Sequence, residues 1–261
     1  MPSEVDSPYT TDFYAGQSGD SYLGAMGVLP RVFDLVKPAS VVDVGCGVGT
    51  WLAAALELGA KRAVGLEGAW VTPAQLRDPR VELITTDLER PIAVDGRFDL
   101  AMSLEVAEHV SAGRASALVA EIARLAPAVL FGAAIPHQGG AFNHVNEQWQ
   151  SYWIEKFASV GFRALDVVRP ALWRQREIPV HYRQNPFLYV SEERWAELSP
   201  KVPTSTMPSD VVHPEVHLAQ AAALHAPPTL GKALGTLAQL PAIVGRSLSH
   251  RLGGTSGRSP K

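Results

Sequence analysis

A glycine-rich turn between two apolar segments constrains the fold of this chain more than any other feature of its sequence. Residues 40–44 read SVVDV, which predicts a short buried strand, and residues 50–58 read TWLAAALEL, which predicts a helix. Between them Gly45, Gly47 and Gly49 supply backbone that can adopt positive φ and approach a ligand closely. A strand, a glycine turn and a helix N-terminus in this order are typical of the first unit of a nucleotide-binding α/β fold.

The rest of the chain up to about residue 190 alternates strand-like runs with helical segments. The predicted strands are residues 40–44, 62–66, 81–85, 98–103, 128–135, 162–168 and 187–190, and the predicted helices are residues 50–58, 73–77, 104–125 and 147–159. Apolar strands joined by helices imply a parallel sheet that helices cover on both faces. The sequence therefore predicts an α/β fold.

Composition and cysteine content exclude several classes of protein. The chain has 261 residues, of which 46% are hydrophobic and 19% are charged, as is ordinary for a folded globular protein. Its single cysteine, Cys46, excludes an internal disulfide and a multi-cysteine metal site, which fits a reducing compartment. Because the sequence has no apolar run of about 18 residues and no signal-like N-terminus, we expect a cytoplasmic protein.

The net charge of −3 averages two unlike parts of the chain. All 26 acidic residues lie at or before Glu215, together with 18 of the 23 basic residues, so residues 1–215 carry a net charge of −8. Residues 216–261 contain five basic residues and no acidic one. Because nucleic-acid affinity comes from neutralising phosphates, the acidic body predicts that neither DNA nor RNA is a partner.

Two acidic positions follow the glycine turn, at the ends of the next two strands. Glu67 closes the second strand, where its carboxylate can accept hydrogen bonds from both hydroxyls of a ribose. Asp87 and Leu88 follow the third strand and combine an acceptor with an apolar contact, which suits the edge of an adenine. Thr50 occupies the position where a dinucleotide-binding turn has its third glycine, which disfavours an NAD-dependent oxidoreductase.

With these motifs the chain resembles the class I S-adenosylmethionine-dependent methyltransferases. VVDVGCGVGTW, residues 41–51, is similar to the family's glycine-rich first motif. FDLAMSLEVAEHV, residues 98–110, is similar to the motif that ends the fourth strand beside the transferable methyl. The resemblance covers roughly residues 13–190, and it implies a Rossmann-like, seven-stranded, mostly parallel sheet of order 3-2-1-4-5-7-6 with helices on both faces.

The resemblance implies S-adenosylmethionine as the cofactor, with Asp43 near its methionine ammonium and the turn glycines against the ligand. Tyr14 belongs to an N-terminal segment that we expect to close over the cofactor. Cys46 is expected to be a small packing residue rather than a nucleophile, since nothing nearby would make a thiolate. The full predicted cofactor set is Tyr14, Asp43, Gly45, Cys46, Gly47, Glu67, Gly68, Asp87, Leu88 and Ser103.

The Glu-x-x-Glu-His sequence after the fourth strand carries more chemistry than cofactor binding requires. If residues 104–110 begin a helix, its two glutamates and its histidine project from one face, and a second histidine can join them from the loop after the fifth strand. These residues are Glu105, Glu108, His109 and His144. Carboxylates with imidazoles predict a divalent-cation site for Mg²⁺ or Mn²⁺. Two alternatives stay open: a histidine acts as a metal-free general base, or the carboxylates only stabilise a helix N-terminus.

This cluster resembles that of metal-assisted O-methyltransferases, namely those of ubiquinone biosynthesis and the small-RNA 2′-O-methyltransferases. The resemblance implies a cation that binds the hydroxyl to be methylated. The predicted catalytic residues are Glu105, His109 and His144. The acidic body and the lack of RNA-binding extensions favour a small-molecule acceptor over RNA.

Loops at the carboxyl ends of parallel strands line the ligand crevice, which places two polar, aromatic segments beside the acceptor. Residues 144–149 follow the fifth strand, and residues 169–186 follow the sixth. Their aromatic and basic side chains suit a polar ring, a sugar or a carboxylated molecule. The alternative is that the tryptophans pack in the core and the arginines are solvated. The predicted substrate residues are Glu147, Trp149, Trp173, His181, Tyr182 and Arg183.

We expect the chain to consist of three parts. Residues 1–38 form a cap or lid, residues 39–192 form the cofactor-binding domain, and residues 193–261 form a Pro-, Ala- and Gly-rich basic extension. The extension is expected to be partly helical or disordered, with docking to a membrane surface as the alternative. Truncation at Pro200 is therefore expected to leave cofactor binding intact.

The sequence leads to one main hypothesis of function, the transfer of a methyl group from S-adenosylmethionine to a hydroxyl of a small molecule. The first alternative is a metal-free N-methyltransferase with His109 or His144 as base. Alternatives of another class are an NAD-dependent oxidoreductase and a non-catalytic protein that binds S-adenosylmethionine. The identity of the acceptor and the oligomeric state are left undecided by the sequence.

Overall fold

The structure is a computed structural model that describes residues 11–94, 96–138 and 143–225, with side chains described from Gly19 to Leu224 within these ranges. The chain divides into two compact units, Met1–His217 and Leu218–Lys261. The Tyr14 side chain and residues 226–261 lie outside the described part, so the expectations for them stay predictions. Within the described ranges, no helix combines the length and the apolar character needed to span a bilayer.

A seven-stranded sheet forms the centre of the first unit. Its strands are β1 (Ser40–Val44), β2 (Arg62–Glu67), β3 (Glu82–Thr85), β4 (Leu100–Leu104), β5 (Ala128–Gly132), β6 (Phe162–Leu165) and β7 (Phe187–Ser191). Their order is β3-β2-β1-β4-β5-β7-β6, and neighbouring strands are parallel except where β7 pairs with β5 and β6. The predicted fold class and strand order are confirmed.

Two of the predicted helices, residues 50–58 and 147–159, are α-helices with slightly different ends, whereas residues 73–77 form only a 3₁₀ turn and the segment after β4 differs. The α-helices are α1 (Thr11–Val36), α2 (Thr50–Glu57), α3 (Ala115–Leu125), α4 (Gln150–Ser159), α5 (Arg169–Leu172), α6 (Val180–Gln184), α7 (Glu192–Leu198) and α8 (Pro214–His225), and 3₁₀ turns occupy Pro73–Gln75, Ala107–His109 and Ser199–Lys201. The sequence analysis does not predict α1 or the individual helices from α5 onward.

The helix predicted over residues 104–125 is wrong in its first half, because β4 runs to Leu104 and α3 begins only at Ala115. Glu105 has a φ of 56°, and its N–H donates to the carbonyl of Gly132 at 2.9 Å. A left-handed residue held to the neighbouring strand cannot start a right-handed helix.

Helices cover both faces of the sheet, since the strands are apolar on both sides. On one face, α1 and α2 contribute the buried Leu29 and Leu52 to the core. On the other face, α3 and α4 contribute Ile122 and Phe157. The C-terminal half of α1, which the sequence analysis assigns to a cap or lid, is therefore a core element of the domain.

The chain after β7 stays within the first unit as far as His217. The buried guanidinium of Arg169 donates to the carbonyls of Pro208 and Ser209 at 3.0 and 2.7 Å. These contacts tie the segment after α7 to the start of α5. The structural boundary therefore lies after His217 and not after residue 192, where the change of composition suggests it.

Candidate functional site

The glycine turn lies at the carboxyl edge of the sheet, where β1, β2 and β4 end. Gly45 and Gly47 have φ values of 82° and 52°, as their place in the turn predicts. A Cβ on Gly45 would lie 2.5 Å from the Val106 side chain, so the turn packs directly against the loop that follows β4. The glycine turn and the Glu-x-x-Glu-His segment are therefore neighbours in space.

The Glu67 carboxylate supports the glycine turn from the end of β2. Its Oε2 accepts a hydrogen bond from the N–H of Gly47 at 2.7 Å, and its Oε1 accepts one from the N–H of Gly68 at 2.8 Å. Burial raises the pKa of Glu67, while the two backbone donors act to lower it. The carboxylate thus lies between the turn and the end of the second strand, at the position of the predicted ribose contact.

Asp43 is buried in β1, with 3% of its surface exposed. Burial raises its pKa to about 8, and the negative charge of Glu67 adds to this effect. A positive ligand group beside Asp43 would favour its ionised form and displace the bound proton. This environment suits an ammonium group, which is the contact that the family resemblance implies for Asp43.

Two of the other predicted cofactor residues make contacts within the protein. The Ser103 hydroxyl donates to the carbonyl of Val44 at 2.9 Å and so bridges β4 and β1. Cys46 is buried, and a Cβ on Gly65 would lie 2.5 Å from its Sγ. Burial raises the pKa of the Cys46 thiol well above its usual value, which fits the expected packing role.

The residues at the ends of β2 and β3 offer both polar and aromatic surface. The exposed Asp87 forms an ion pair with Arg90 at 3.3 Å, and Leu88 packs partly buried against the core. A Cβ on Gly68 would lie 2.2 Å from the ring of Trp70, which is 44% exposed. Trp70 is therefore an exposed aromatic next to the predicted cofactor residues, and the sequence analysis does not assign it.

Glu105 does not share a helical face with Glu108 and His109, which corrects the predicted arrangement. Its backbone is left-handed, so its side chain leaves β4 in another direction. Its Oε1 accepts a hydrogen bond from the side-chain amide of Asn185 at 2.8 Å, and its Oε2 accepts one from that of Gln138 at 2.9 Å. Two amides therefore hold this carboxylate.

Three of the four predicted metal ligands do come together, namely Glu108, His109 and His144, whose ligand atoms all lie within 4.8 Å of one another. Glu108 is 1% exposed, and burial raises its pKa well above the usual value, with the charge of Glu105 adding to this effect. Among the described residues, its Oε2 has no hydrogen-bond partner. A buried polar atom of this kind costs free energy unless something else satisfies it.

The two imidazoles of this group meet edge to face, with ring centroids 4.8 Å apart. Burial lowers the pKa of His109, and the proximity of His144 lowers it further. Nδ1 of His144 lies 2.8 Å from Oε1 of Glu147, whose Oε2 accepts a hydrogen bond from the N–H of His137 at 2.8 Å. Glu147, a predicted substrate residue, thus lies behind His144 as its hydrogen-bond partner.

The other aromatic residues of the predicted substrate face differ in exposure. Trp149 is 40% exposed at the start of α4, and His181 is half-buried in α6. Tyr182 is buried, and its ring meets that of Trp51 edge to face at 5.1 Å. Of these predicted substrate residues, Trp149 and His181 therefore retain accessible surface.

Arg183 uses its donors inside the protein, which corrects its predicted role in substrate binding. Its guanidinium is buried and donates to the carbonyls of Ile178 and Trp173 at 2.8 and 3.0 Å. It also forms an ion pair with Glu215 at 2.6 Å. The Trp173 ring lies 4.3 Å from that of His213. Trp173, directly after α5, and Arg183, in α6, therefore both contact the chain near the start of α8.

The sequence analysis does not assign Gln138 or Asn185, which hold Glu105 from positions 33 and 80 residues away. Asn and Gln side chains are uncharged, and these two belong to no recognised sequence motif, so nothing in the sequence marks them as site residues. The only available signal is their location, because Gln138 lies in the loop after β5 and Asn185 lies directly before β7.

Comparison with protein families gives a match over residues 41–127 to the family described as methyltransferase domain. The match covers about a third of the chain. The matched stretch begins in β1 and ends just before β5, so it includes the glycine turn and the Glu-x-x-Glu-His segment. No curated protein matches the chain.

Solved structures of methyltransferases are similar in fold to the first unit of this chain. The magnesium protoporphyrin IX methyltransferase of Synechocystis PCC 6803 with bound SAH is 14% identical, with a TM-score of 0.51 over 72% of this chain and 90% of that one. A SAM-bound amino pentose methyltransferase from Micromonospora echinaspora is 14% identical, with a TM-score of 0.52 over 71% and 99% of the two chains. A sugar N-methyltransferase from Streptoalloteichus sp ATCC 53650 is 14% identical, with a TM-score of 0.56 over 73% and 98%. The expected Rossmann-like, seven-stranded fold is confirmed.

Proposed function

We propose that this protein transfers a methyl group from S-adenosylmethionine to a hydroxyl of a small molecule. The observation that carries the proposal is the contact of Gly45 with Val106, because it joins a cofactor-type turn to a cluster of proton-accepting side chains. The solved structures of similar fold include a magnesium protoporphyrin IX methyltransferase, an amino pentose methyltransferase and a sugar N-methyltransferase. They support a small-molecule acceptor for this chain.

Two carboxyl groups beside the glycine turn support the proposed binding of the cofactor. Asp43 provides a buried carboxyl for the ammonium of the methionine moiety, and Glu67 provides a carboxylate for the ribose. The cofactor, when bound, supplies an electrophilic methyl on a sulfonium. Because the hydroxyl must lose its proton as its oxygen takes the methyl, a neutral imidazole or a carboxylate has to accept that proton. Glu105 and His109 after β4, and His144 in the loop after β5, are the groups that can accept it.

The donor set of Glu108, His109 and His144 fits a divalent cation. Glu108 Oε2 is buried without a partner among the described residues, and two imidazoles complete a mixed oxygen and nitrogen set of the kind that Mn²⁺ binds. Glu105 lies outside this group, and two amides hold its carboxylate in a separate position. A cation in this position would supply Lewis acidity toward the acceptor hydroxyl.

Cofactor binding and methyl transfer are tested in separate experiments. We expect calorimetric titration to show binding of S-adenosylhomocysteine, with affinity lost in Glu67→Ala and no binding of NAD. We also expect methyl-labelled S-adenosylmethionine to label a compound in a small-molecule extract, which then identifies the acceptor. Binding of NAD in place of S-adenosylhomocysteine would overturn the proposal in favour of an oxidoreductase. Binding without transfer would indicate a non-catalytic protein.

The metal is tested by the unfolding temperature with and without Mn²⁺. We expect Mn²⁺ to raise this temperature in the wild type and in Glu105→Gln, because ligand binding stabilises the folded state. Glu108→Gln should lose the effect, and without metal it should be more stable than the wild type because a buried carboxyl is removed. Equal loss of the Mn²⁺ effect in both variants would restore the four-ligand set that the sequence predicts.

Metal-free N-methylation is the second candidate, and the environment of the two histidines favours it. Burial lowers the pKa of His109, which favours its neutral form, and Glu147 orients the His144 ring, so either imidazole can act as a base. In that case a chelator should leave labelled-methyl transfer unchanged and the labelled product should be an amine.

A further inference from the structure

Neutral amides fix the position of the Glu105 carboxylate. The Nδ2 of Asn185 donates to Glu105 Oε1 and to Gln138 Oε1, both at 2.8 Å, and the Nε2 of Gln138 donates to Glu105 Oε2 at 2.9 Å. Both N–H groups of Asn185 are therefore used. A flipped amide would turn its oxygen toward the carboxylate, so the network has one favourable orientation.

A second layer of contacts keeps these amides in place. The Nε2 of Gln184 donates to the Oδ1 of Asn185 at 2.9 Å, and its Oε1 accepts a hydrogen bond from the N–H of His213 at 2.6 Å. Gln184 and Asn185 are both buried, with 0% and 3% of their surface exposed. Since a buried amide that loses a partner cannot turn to water instead, the network resists rearrangement.

The direction of β7 explains why these residues meet. Because β7 runs antiparallel to β5, its first residue pairs with Phe131 near the carboxyl end of β5. Asn185 is thereby delivered to the same edge of the sheet as Glu105. Between them lies Gly132, whose carbonyl accepts the hydrogen bond from the N–H of Glu105. A Cβ on Gly132 would lie 3.1 Å from the N of Pro186, so the close approach depends on the glycine.

Glu105 combines backbone strain with remaining capacity to accept hydrogen bonds. A left-handed conformation is unfavourable for a glutamate, and it persists only where the surroundings hold it. Glu105 is half-buried, and among the described residues each of its oxygens accepts one amide hydrogen bond. A carboxylate oxygen can accept more than one, so Glu105 can still bind a substrate donor.

We propose that Asn185 and Gln138 are positioning residues that hold Glu105 as the hydrogen-bond acceptor for the hydroxyl to be methylated. The inference rests on the proposed methyl transfer. It assigns to Glu105 a role apart from the metal-type group of Glu108, His109 and His144. It also makes the segment directly before β7 part of the acceptor site.

A double-mutant cycle tests the inference through labelled-methyl transfer. Asn185→Ala and Glu105→Gln should each lower the rate of methyl transfer about tenfold or more. The double variant should transfer as fast as the slower of the two single variants, because both changes remove the same function of Glu105. Affinity for S-adenosylhomocysteine should stay within about twofold of the wild type in all three, since none of them contacts the turn. Gln175→Ala is the control, because within the described part of the chain this side-chain amide donates to the nearby carbonyl of Ala171 alone, and its loss should leave transfer unchanged.

Hydrogen exchange gives a readout that does not depend on activity. In Asn185→Ala, the amide of Glu105 should exchange faster than in the wild type while the amides of β1 and β2 keep their protection. Effects on transfer that multiply in the double variant, or unchanged exchange at Glu105, would overturn the inference. If the wild type transfers no methyl at all, the proposed function fails, and the exchange result alone decides whether Asn185 holds Glu105.

Discussion

At Asp43, burial opposes ionisation. Its pKa of about 8 lies far above the ordinary value of 3.8, so the folded chain keeps a proton that the unfolded chain releases between these values. The unfolded state then binds fewer protons than the folded state, and the free energy of unfolding falls as pH rises through this range. In the free protein, a group suited to a cationic ligand therefore costs stability.

Asp43→Asn should remove this cost. We expect the variant to unfold at a higher temperature than the wild type, with an advantage that grows between about pH 5 and pH 8 by at most about 1.4 kcal/mol per pH unit. Calorimetry across this range measures the difference. Asp20→Asn, at an exposed residue, is the control. An advantage of Asp43→Asn that does not change with pH would contradict the assigned cause.

At the scale of elements, the pairing of β7 with β5 does more than extend the sheet. It is antiparallel, so the beginning of β7 lies at the carboxyl edge where the parallel strands end. A parallel strand in this position would have presented its last residues there instead. The reversed strand thus adds Asn185 to the loops that form the candidate site.

Gly132→Ala should weaken this junction. The new Cβ would press on backbone atoms of Pro186 at 3.1 and 3.2 Å, which cannot move aside as a flexible side chain can. We expect a loss of about 1–3 kcal/mol of stability, measured by denaturant unfolding. Gly113→Ala is the matched control, because no atom lies within 4 Å of its added Cβ. If both variants unfold at the same denaturant concentration, the contact between Gly132 and Pro186 is not tightly packed.

For the whole molecule, the decisive feature is how much of the chain belongs to the first unit. Besides the contacts of Arg169, the carboxylate of Asp210 accepts hydrogen bonds from the N–H and the hydroxyl of Ser151 at the start of α4, both at 2.7 Å. These residues follow Pro200, where composition alone suggests that the domain has ended. Truncation at Pro200 would therefore remove partners from buried polar groups.

Two truncated chains distinguish a domain boundary after residue 192 from one after His217. A chain that ends at Pro200 should unfold at a markedly lower temperature and bind S-adenosylhomocysteine more weakly, because the guanidiniums of Arg169 and Arg183 lose their partners. A chain that ends at His225 keeps every described contact of the first unit and should retain both properties. Thermal unfolding and calorimetric titration measure them. If the chain that ends at Pro200 binds S-adenosylhomocysteine as tightly as the full chain, the boundary after residue 192 is supported.

The sequence by itself determined the elements whose cause is local. An apolar strand, the glycines of the turn and the good helix formers after it specify β1, the turn and α2. Glu67 and Asp43 could be proposed as cofactor residues because both lie at the carboxyl ends of strands whose apolar pattern is strong. Local spacing also placed Glu108 and His109 together at the end of β4, and the loop after β5 supplied His144 as expected.

Only the tertiary structure decided the parts that depend on distant neighbours. Glu105 leaves the helical pattern because its N–H bonds to β5 and its carboxylate to amides far along the chain. Arg183 reads as a ligand-binding cation in the sequence, but the fold buries it against Glu215. Such contacts are set by the path of the backbone across the sheet, and no local pattern of residue types encodes them.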